Sequence, residues 1–317
     1  MSAGPVGVDA VDPIPHGQTA LRLAWKFLPR DVRAMVEQHL GAPVIEARSM
    51  NSGFTPGFAS VLSGSNGNRL FVKAANTVAQ RQFADAYREE SHKLRALGGA
   101  IPAPRLLWVH DEEWVVLGFE AVDGHPPQRP WVCTELDRAL DLAEDIAAAT
   151  ERVPGGLALQ PLWEDVPRLV NGWGDVADDW PHRAEAAALA ARCPELPDSD
   201  GFLHSDLRDD NILLCSDGRV LACDWNWPAL GPAWLDLVIL LVSAHGDGHD
   251  ADALLGGREL SRDVDPEHVD AWLAALCGFM LSSRVQPVPR ASPYLRRHAA
   301  WYAEAAWSWL AQRRGWS

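Results

Sequence analysis

The spacing of apolar residues changes along the chain, and each change predicts a different kind of element. Residues 29–41, PRDVRAMVEQHLG, place apolar side chains three and four positions apart and end in a glycine, which predicts a helix. Three short segments with strand character follow, PVIEARSM, GFASVLSG and NRLFVKA. The turn SNGN between the last two is typical of a β-hairpin, so an antiparallel sheet is expected after the helix.

A long amphipathic helix is predicted next, over residues 78–99, and it is closed by two glycines. Two further strands, RLLWVH and EWVVLGFE, are predicted on either side of the turn DEE. Beyond about Val122, a connector rich in proline and glycine leads into a mostly helical chain, with helical patterns at residues 134–153, 182–193, 265–284 and 292–314.

Only FLHSDLRDDNILL and RVLACDW, joined by the turn SDG, interrupt these later helices with strand-like runs. The order predicts an α+β fold with a small antiparallel β lobe that holds one long helix, and a larger, mostly helical lobe. The expected boundaries are a flexible tail at 1–18, an N-terminal lobe at 19–121 and a C-terminal lobe at 122–317. A cleft between two lobes is a preferred place for a ligand.

Composition argues against several classes of protein. The formal net charge is -15 and no cluster of Lys and Arg appears, which argues against a nucleic-acid partner. The longest apolar run, LDLVILLV, is far shorter than a membrane span, and the first 18 residues lack the features of a signal peptide. The five cysteines are odd in number and show no CxxC spacing, so a zinc site and a disulfide framework are not expected and a cytoplasmic location is favoured.

The residues best suited to chemistry lie in HSDLRDDN, residues 204–211, at the mouth of a predicted strand. Asp224 follows 13 residues after Asn211, and a hairpin of that length brings Asp206, Asn211 and Asp224 close together. Carboxylate and amide oxygens suit a hard cation such as Mg²⁺, which shares its remaining positions with phosphate oxygens. A carboxylate outside the metal shell can accept the proton of a hydroxyl group.

The segment HSDLRDDN resembles the HxDxxxxN catalytic loop of the aminoglycoside phosphotransferases and related small-molecule kinases, which have a protein-kinase-like fold. The later segment DWNWPALGPAWLDL supplies that family's metal-binding Asp and Gly-Pro-Asp-Leu block in the same order. The resemblance covers roughly Met50 to the C-terminus and is strongest between Gly201 and Leu241. It implies an ATP- and Mg²⁺-dependent phosphotransferase acting on a hydroxyl of a small molecule, with GTP as an alternative donor.

The resemblance implies a role for each matched residue. Asp206 would accept the proton of the acceptor hydroxyl, while Asn211 and Asp224 would hold Mg²⁺ on the nucleotide phosphates. His204 would pack beneath the loop and hydrogen-bond its backbone. Asp236 would anchor the same loop from below.

Two basic residues are candidates for contact with phosphate. Lys73 lies in the strand segment LFVKA, and the chain has only three lysines against 25 arginines. A compact ammonium that holds the α- and β-phosphates would explain why a lysine and not an arginine stands here. Its expected partner is a glutamate of the long helix, either Glu90 or the adjacent Glu89. Arg208 lies where protein kinases carry a lysine that touches the transferred phosphate, so it either contacts phosphate or is an exposed loop arginine.

Two loops are expected to enclose the nucleotide. The segment NSGFTPGFAS precedes the second strand, where the phosphate-covering turn belongs, and although it is not GxGxxG its candidate residues are Ser52, Gly53, Thr55 and Gly57. The segment GFEAVDG follows the last strand of the first lobe, where the backbone should meet the adenine edge, with neighbours Glu120 and Val122.

The distribution of charge suggests an acceptor class. Residues 1–120 hold 12 acids and 12 bases, whereas residues 121–317 hold 31 acids and 16 bases. A cleft lined by one sign of charge concentrates the opposite sign, so a cationic, amine-bearing acceptor is expected unless these acids only solubilise the surface. The candidate acceptor contacts are Asp175, Asp178, Asp179, Asp247, Asp250 and Trp301, whose ring could stack on a cation.

Other functions stay open at this point. A kinase of a neutral small alcohol or of a nucleoside-like metabolite would share the same motifs. A non-catalytic nucleotide-binding regulatory module is expected to have lost Lys73, Asp206, Asn211 or Asp224, and all four are present. The short interval between Asp224 and Gly231 leaves no room for an activation loop, which weakens a protein-kinase interpretation. A monomer or a homodimer is expected.

Overall fold

The computed structural model describes residues 19–54, 57–149, 157–198 and 200–316, so the predicted tail at 1–18 lies outside the described residues. Within these ranges the strands are β1 (Val44–Ser49), β2 (Phe58–Gly64), β3 (Arg69–Asn76), β4 (Leu106–Asp111), β5 (Trp114–Glu120), β6 (Gly124–His125), β7 (Phe202–Leu203), β8 (Ile212–Cys215), β9 (Val220–Ala222) and β10 (Ala229–Leu230). The α-helices are α1 (Arg30–Leu40), α2 (Arg81–Leu97), α3 (Cys133–Ala147), α4 (Leu162–Asp165), α5 (Arg168–Asn171), α6 (Arg183–Ala190), α7 (Leu235–Gly246), α8 (Ala251–Gly256), α9 (Pro266–Arg284) and α10 (Leu295–Arg314).

The first five strands form one antiparallel sheet in the order β1-β2-β3-β5-β4. Strand β3 is central, and its residue Lys73 pairs with Ala59 of β2 and Leu117 of β5. This register fixes Lys73 in the middle of the sheet, where its backbone is held on both sides.

The inner strands β2, β3 and β5 are mostly buried on both faces, which is why they show little alternation. Helix α1 packs on one face through Val32, Val36 and Leu40, and it ends at Gly41, whose φ of +78° is the left-handed conformation that glycine adopts without strain. Helix α2 packs on the other face through Tyr87 and other apolar side chains. The predicted five-stranded unit with one long helix is therefore confirmed.

The rest of the chain is mostly helical, as predicted. Helices α9 and α10 lie along each other, and α7 packs between them and α3. Residues 235–244 of α7 are all buried, and Asp236 is the only charged residue among them. In the described part of the chain, no helix combines the length and the apolar character that crossing a membrane requires.

A small β-hairpin lies inside the helical part, as the sequence predicts. Strands β8 and β9 pair antiparallel around a turn in which Gly218 has a φ of +91°, and β6 adds a third strand beside β8. The segment 204–211 enters β8, and Asp224 follows β9. The hairpin therefore returns the chain so that Asp224 lies beside the loop that carries Asp206.

Candidate active site

A buried ion pair links the sheet to helix α2. The Lys73 Nζ lies 2.8 and 2.9 Å from the two carboxylate oxygens of Glu90, and it also donates to Asp224 across the cleft. Lys73 is 7% exposed and Glu90 is 1% exposed. Of the two glutamates left open by the sequence, the structure selects Glu90, because Glu89 lies on the exposed face of α2.

The charges of these three residues depend on one another. Burial alone would lower the pKa of Lys73, but the carboxylates of Asp224 and Glu90 outweigh it and raise that pKa. Burial alone would raise the pKa of Asp224, and the Lys73 ammonium outweighs it and lowers that pKa. Lys73 and Asp224 are therefore both charged at neutral pH, with the ammonium placed at the edge of the cleft.

The loop that carries Asp206 is held from below by one buried carboxylate. Asp236, at the start of α7, accepts hydrogen bonds from the backbone N–H of His204 at 2.8 Å and of Ser205 at 3.0 Å. Burial raises the pKa of Asp236 to about 7. These two bonds fix the loop against the most buried helix of the protein, in the position that the resemblance implies for Asp236.

His204 positions the loop from inside. Its Nδ1 accepts from the backbone N–H of Asp206 at 3.3 Å, so its Nε2 carries the proton and donates to the carbonyl of Cys223 at 2.8 Å. The ring is fully buried against Trp225, and burial lowers the pKa of His204, which keeps it neutral. We describe His204 as a positioning residue, because its contacts are to backbone and to Trp225.

Two residues with strained backbone conformations lie at the same place. Ser205 has a φ of +64° and Asp224 a φ of +63°, a region that residues with a Cβ seldom adopt. Non-glycine residues in this conformation persist where the surrounding structure determines them, and they cluster at functional sites. Of the four non-glycine residues with positive φ in the described chain, these two flank the Asp206 loop, while His182 and Asp198 lie elsewhere.

Asp206 lies in a partly exposed position with two partners. Asn211 Nδ2 donates to the Asp206 carbonyl at 2.8 Å and to its carboxylate at 3.1 Å, and Arg208 Nε lies 3.2 Å from the other carboxylate oxygen. The side chain of Asp206 is 39% exposed. It is therefore held in orientation and still open to a molecule in the cleft.

Arg208 is not the exposed loop arginine that the sequence left as one alternative. Its side chain is 12% exposed and forms ion pairs with Asp206 and Asp210, both at 3.2 Å. Burial raises the pKa of Asp210 to about 7, although Arg208 acts in the opposite direction. The place of Arg208 beside Asp206 is consistent with contact to a transferred phosphate.

A second, unpredicted anchor holds the same loop from the side. Arg129 is bound by Asp209 and by Asp247, both at 2.8 Å, and its side chain is 4% exposed. No local sequence signal identifies this contact, because its partners lie 80 and 118 positions away along the chain.

The nucleotide-site candidates meet in one cleft. Most of them line it, namely Ser52, Gly53, Lys73, Glu90, Glu120, Val122, Asn211 and Asp224. Gly57 is not among the lining residues. A Cβ at this position would lie 2.8 Å from the Tyr87 hydroxyl, so the small size of glycine serves packing. Thr55 lies outside the described residues.

Sequence reasoning missed Arg22, which also lines the nucleotide cleft. The segment before α1 is held by backbone bonds from Thr19 and Ala20 to the carbonyl of Asn51, and Arg22 donates to the carbonyl of Ser52 at 2.9 Å. Arg22 therefore places a guanidinium beside the candidate phosphate-covering turn. The only sequence signal is one arginine in an irregular segment, which does not identify a site.

The donor set in the cleft fits a hard divalent cation. Asp224 offers carboxylate oxygens, and Asn211 has its amide nitrogen engaged with Asp206, which leaves the amide oxygen for coordination. Among the described residues, no group of three or more His, Cys, Asp or Glu side chains forms a metal site. One carboxylate and one amide oxygen are ligands that Mg²⁺ accepts, since this ion keeps several waters and takes further ligands from phosphates.

A second cavity, of about 320 Å³, adjoins the nucleotide cleft and reaches Asp206. Gly53 and Asp224 line both the cleft and this cavity, and Asp206 and Arg208 line the cavity too. Asp224 and Asp206 therefore line one and the same cavity.

The structure does not bring the expected acceptor contacts to Asp206. Within the described residues, neither this cavity nor the larger pocket beyond it is lined by Asp175, Asp178, Asp179, Asp247, Asp250 or Trp301. None of the six lies in the lining of these two pockets, and their role as acceptor contacts stays a prediction.

The physical reason is that these side chains are committed elsewhere or point to open surface. Asp247 is used in the buried pair with Arg129, and Asp250 accepts from the backbone N–H of Ala253 as the N-cap of α8. Trp301 packs its ring over the Arg129 guanidinium at 5.1 Å.

The remaining three acids lie on the surface around residues 172–180. Asp178 is exposed and 3.2 Å from Arg183, Asp179 is exposed, and Asp175 accepts from Ser282. Their negative charge therefore faces solvent or a neighbouring hydroxyl, and not the pocket beside Asp206.

A family model for a phosphotransferase enzyme family matches residues 52–261, more than half of the chain. No curated protein matches this chain. The matched region contains Lys73, Glu90, Asp206, Asn211 and Asp224, so the family match and the clustered side chains coincide.

Solved structures show the same architecture. A thermostable mutant of an aminoglycoside phosphotransferase, in a ternary complex with ADP and hygromycin B, is 16% identical with a TM-score of 0.59, and the match covers 89% of this chain and 98% of that one. Choline kinase LicA from Streptococcus pneumoniae is 12% identical with a TM-score of 0.59, covering 88% and 98%. A GDP and kanamycin complex of APH(2")-IIia is 16% identical with a TM-score of 0.56, covering 90% and 99%. These likenesses confirm the predicted two-lobed, protein-kinase-like fold.

Proposed function

This chain belongs to the phosphotransferase enzyme family, and we propose that it transfers the γ-phosphate of ATP, with Mg²⁺, to a hydroxyl group of a small molecule. GTP is the alternative donor. In this proposal residues 19–121 are the nucleotide-binding lobe and residues 122–317 the catalytic and acceptor-binding lobe. The observation that carries the proposal is the convergence of Lys73, Asn211 and Asp224 in one cleft that opens onto Asp206.

Nucleotide binding is assigned mainly to residues 19–121, with Val122, Asn211 and Asp224 contributed by the second lobe. Lys73 holds the α- and β-phosphates while Glu90 keeps its ammonium in place. Ser52 and Gly53 cover the phosphates, and Glu120 and Val122 lie near the adenine edge. Asn211 and Asp224 are the residues that would hold Mg²⁺, which supplies charge neutralisation on the phosphates when bound.

The chemical step is assigned to the Asp206 loop. Asp206 accepts the proton of the acceptor hydroxyl, a bond forms between that oxygen and the γ-phosphorus, and the bond from the γ-phosphorus to the bridging oxygen breaks. The nucleoside diphosphate leaves. Arg208, 3.2 Å from Asp206, stabilises negative charge on the phosphoryl group in transit.

Charge and pocket lining both bear on the class of acceptor. The sequence favours a cationic acceptor, whereas the described pocket beyond Asp206 offers one carboxylate besides Asp206 itself, at Asp165. A neutral alcohol or a nucleoside-like metabolite is compatible with the same machinery. A non-catalytic nucleotide-binding module is disfavoured by the intact set of Lys73, Asp206 and Asp224.

Asp206→Asn tests the assignment of the base. The substitution keeps the side-chain shape and an oxygen for the Asn211 amide, but it removes the proton acceptor, so turnover should fall by about 10²- to 10⁴-fold while nucleotide affinity changes little. The assay measures nucleoside diphosphate release with a panel of hydroxylated metabolites and antibiotics. Asp217→Asn is the matched control, because Asp217 is an exposed acid on the turn of the same hairpin.

The outcomes separate the proposals. Retention of more than about a tenth of turnover in Asp206→Asn removes Asp206 as the base. Binding of nucleotide without transfer to any acceptor of the panel by the unaltered protein would favour the regulatory-module interpretation.

A further inference from the structure

Beyond Asp206 lies a larger pocket, which we call the acceptor pocket. Its described lining comes from α4, α5, α7, α9, α10 and the loops between them, and it encloses about 420 Å³. Asp206, Arg208, Trp227 and Leu295 line both this pocket and the smaller cavity that reaches Asp224. A molecule in the acceptor pocket therefore has its inner end at Asp206, and the volume suits a small organic compound.

The walls of the acceptor pocket are mostly hydrocarbon. Helix α9 contributes three of the apolar lining residues, Trp272, Leu276 and Phe279. They are spaced four and three residues apart, which places their side chains on one face of the helix. Ile239 of α7 and Leu169 of α5 add further apolar surface. Such walls stabilise a ligand by removing its apolar surface from water and not by forming hydrogen bonds.

Charged groups are few in this lining. Among the described residues of the acceptor pocket, the acids and arginines are Asp165, Asp206 and Arg208, and the last two already form an ion pair at 3.2 Å. His298 also lines the pocket, and its Nε2 lies 3.2 Å from a guanidinium nitrogen of Arg208. A ligand with several positive charges would have to give up the hydration of those charges when it packs against hydrocarbon walls. Only Asp165, among the described lining residues, is an acid outside the Asp206–Arg208 ion pair and could offset this cost.

We propose that the acceptor is a hydroxyl compound with a bulky apolar body, an aliphatic or aromatic ring system that carries at most one positive charge. This inference rests on the proposed function, because it takes Asp206 as the group that faces the reacting hydroxyl. The apolar body packs against α9, the hydroxyl lies at the end formed by Asp206 and Arg208, and Trp227, which is 52% exposed, forms the rim.

The test measures binding of 1-alkanols, from ethanol to 1-octanol, to the protein saturated with ADP, beside choline and kanamycin as cationic probes. Each methylene that enters the pocket should strengthen binding about fourfold until the pocket is full, because burying a CH₂ group has about that effect on an equilibrium constant. A flat dependence on chain length, or kanamycin binding more tightly than 1-octanol, would overturn the proposal.

Two matched substitutions near the end of α9 locate the binding. Met280 lines the acceptor pocket, so Met280→Glu should weaken 1-octanol binding at least tenfold and leave ADP binding unchanged. Val285 lies five residues further along the chain, is 63% exposed and is not among the lining residues, so Val285→Glu should change neither affinity. No loss in Met280→Glu, or an equal loss in both variants, contradicts the proposed site.

Turnover with the same probes distinguishes this inference from the proposed function. If 1-octanol binds as expected but no alcohol or cation accelerates ADP release from ATP, the proposed function fails and the apolar specificity of the pocket stands. If choline or kanamycin is phosphorylated and 1-octanol does not bind, the proposed function stands and the apolar-acceptor inference fails.

Discussion

Lys73→Met should destabilise the folded protein far more than an ordinary lysine substitution. Lys73 is 7% exposed and bonds both oxygens of Glu90, which is 1% exposed, so methionine of similar length leaves a buried carboxylate without its counter-charge. Breaking a buried ion pair from one side costs about 3–5 kcal/mol of unfolding free energy. Asp224 also loses its ammonium partner, although its side chain is 30% exposed and water can solvate it.

Adding Glu90→Gln to Lys73→Met should restore part of that loss. The glutamine has no charge to bury and keeps an acceptor for the backbone N–H of Trp225, so the remaining cost is that of one poorly satisfied polar side chain, about 1–3 kcal/mol. The double variant should therefore be more stable than Lys73→Met by roughly 2 kcal/mol. Nucleotide affinity should stay low in both variants, because neither has the ammonium.

Urea unfolding followed by tryptophan fluorescence measures these differences, since Trp225 is buried beside Asp224. Lys26→Met is the control, because Lys26 is exposed and its one described contact is with the ring of Phe27. An unfolding midpoint of Lys73→Met equal to that of Lys26→Met would refute the reasoning, and so would a double variant no more stable than Lys73→Met.

Four further substitutions test the rest of the site. Asp224→Ala should raise the Mg²⁺ concentration needed for nucleotide binding more than Asn211→Ala does, because a carboxylate brings a full charge to the ion and an amide only a dipole. Mg²⁺ titrations that are unchanged in both variants would remove both residues from the metal site. Arg22→Gln should raise KM for ATP and leave KM for the acceptor unchanged, since Arg22 lines the nucleotide cleft and neither of the cavities beside Asp206; equal changes in both KM values contradict this. Burial raises the pKa of Asp236 to about 7, so the native state keeps a proton that the unfolded chain releases near pH 4. The stability that this group contributes therefore falls as the pH rises from about 4 to 7. Asp236→Asn should lower stability at pH 5, because asparagine offers one acceptor where two backbone N–H groups bind. The decrease of the urea unfolding midpoint between pH 5 and 8 should also be smaller in this variant than in the unaltered protein. An equal decrease in both proteins would contradict the role given to Asp236.

Elements with local signals were predictable from the sequence. Helix α1 has its apolar spacing and Gly41, and the hairpin between β2 and β3 has its asparagine-glycine turn. The same holds for Asp206, Asn211 and Asp224, whose spacing spans one hairpin. The sequence could not choose between Glu89 and Glu90, because adjacent helix residues differ only in which face they occupy and the neighbour across that face is set by the tertiary fold.

Helix α7 illustrates a different limit. Its run LDLVILLV is apolar without a period, which is why periodicity did not assign it as a helix. The structure explains the missing period, because residues 235–244 are buried on every side and no face needs to be polar. The single charged residue of the run, Asp236, is the one that binds the catalytic loop.

The acceptor side could not be predicted because acidic residues look alike in sequence whether or not they are paired. Asp247 is neutralised by Arg129 from 118 positions away, and no local pattern reports that pairing. The pocket beside Asp206 is likewise assembled from separate helices, so its apolar lining has no contiguous signature.

The acidic excess of residues 121–317 has a structural use that bears on recognition. Arg258, after α8, lies within ion-pair distance of three acids of α3, which are Asp137, Asp141 and Glu144. Arg313 of α10 likewise bridges Asp252 of α8 and Asp270 of α9. An arginine fork can bind several carboxylates at once, so a chain that uses arginine in place of lysine can employ many acids in joining helices. Negative charge arranged in this way joins helices of the scaffold, which agrees with the proposal that the pocket beyond Asp206 selects its ligand by shape and apolar contact.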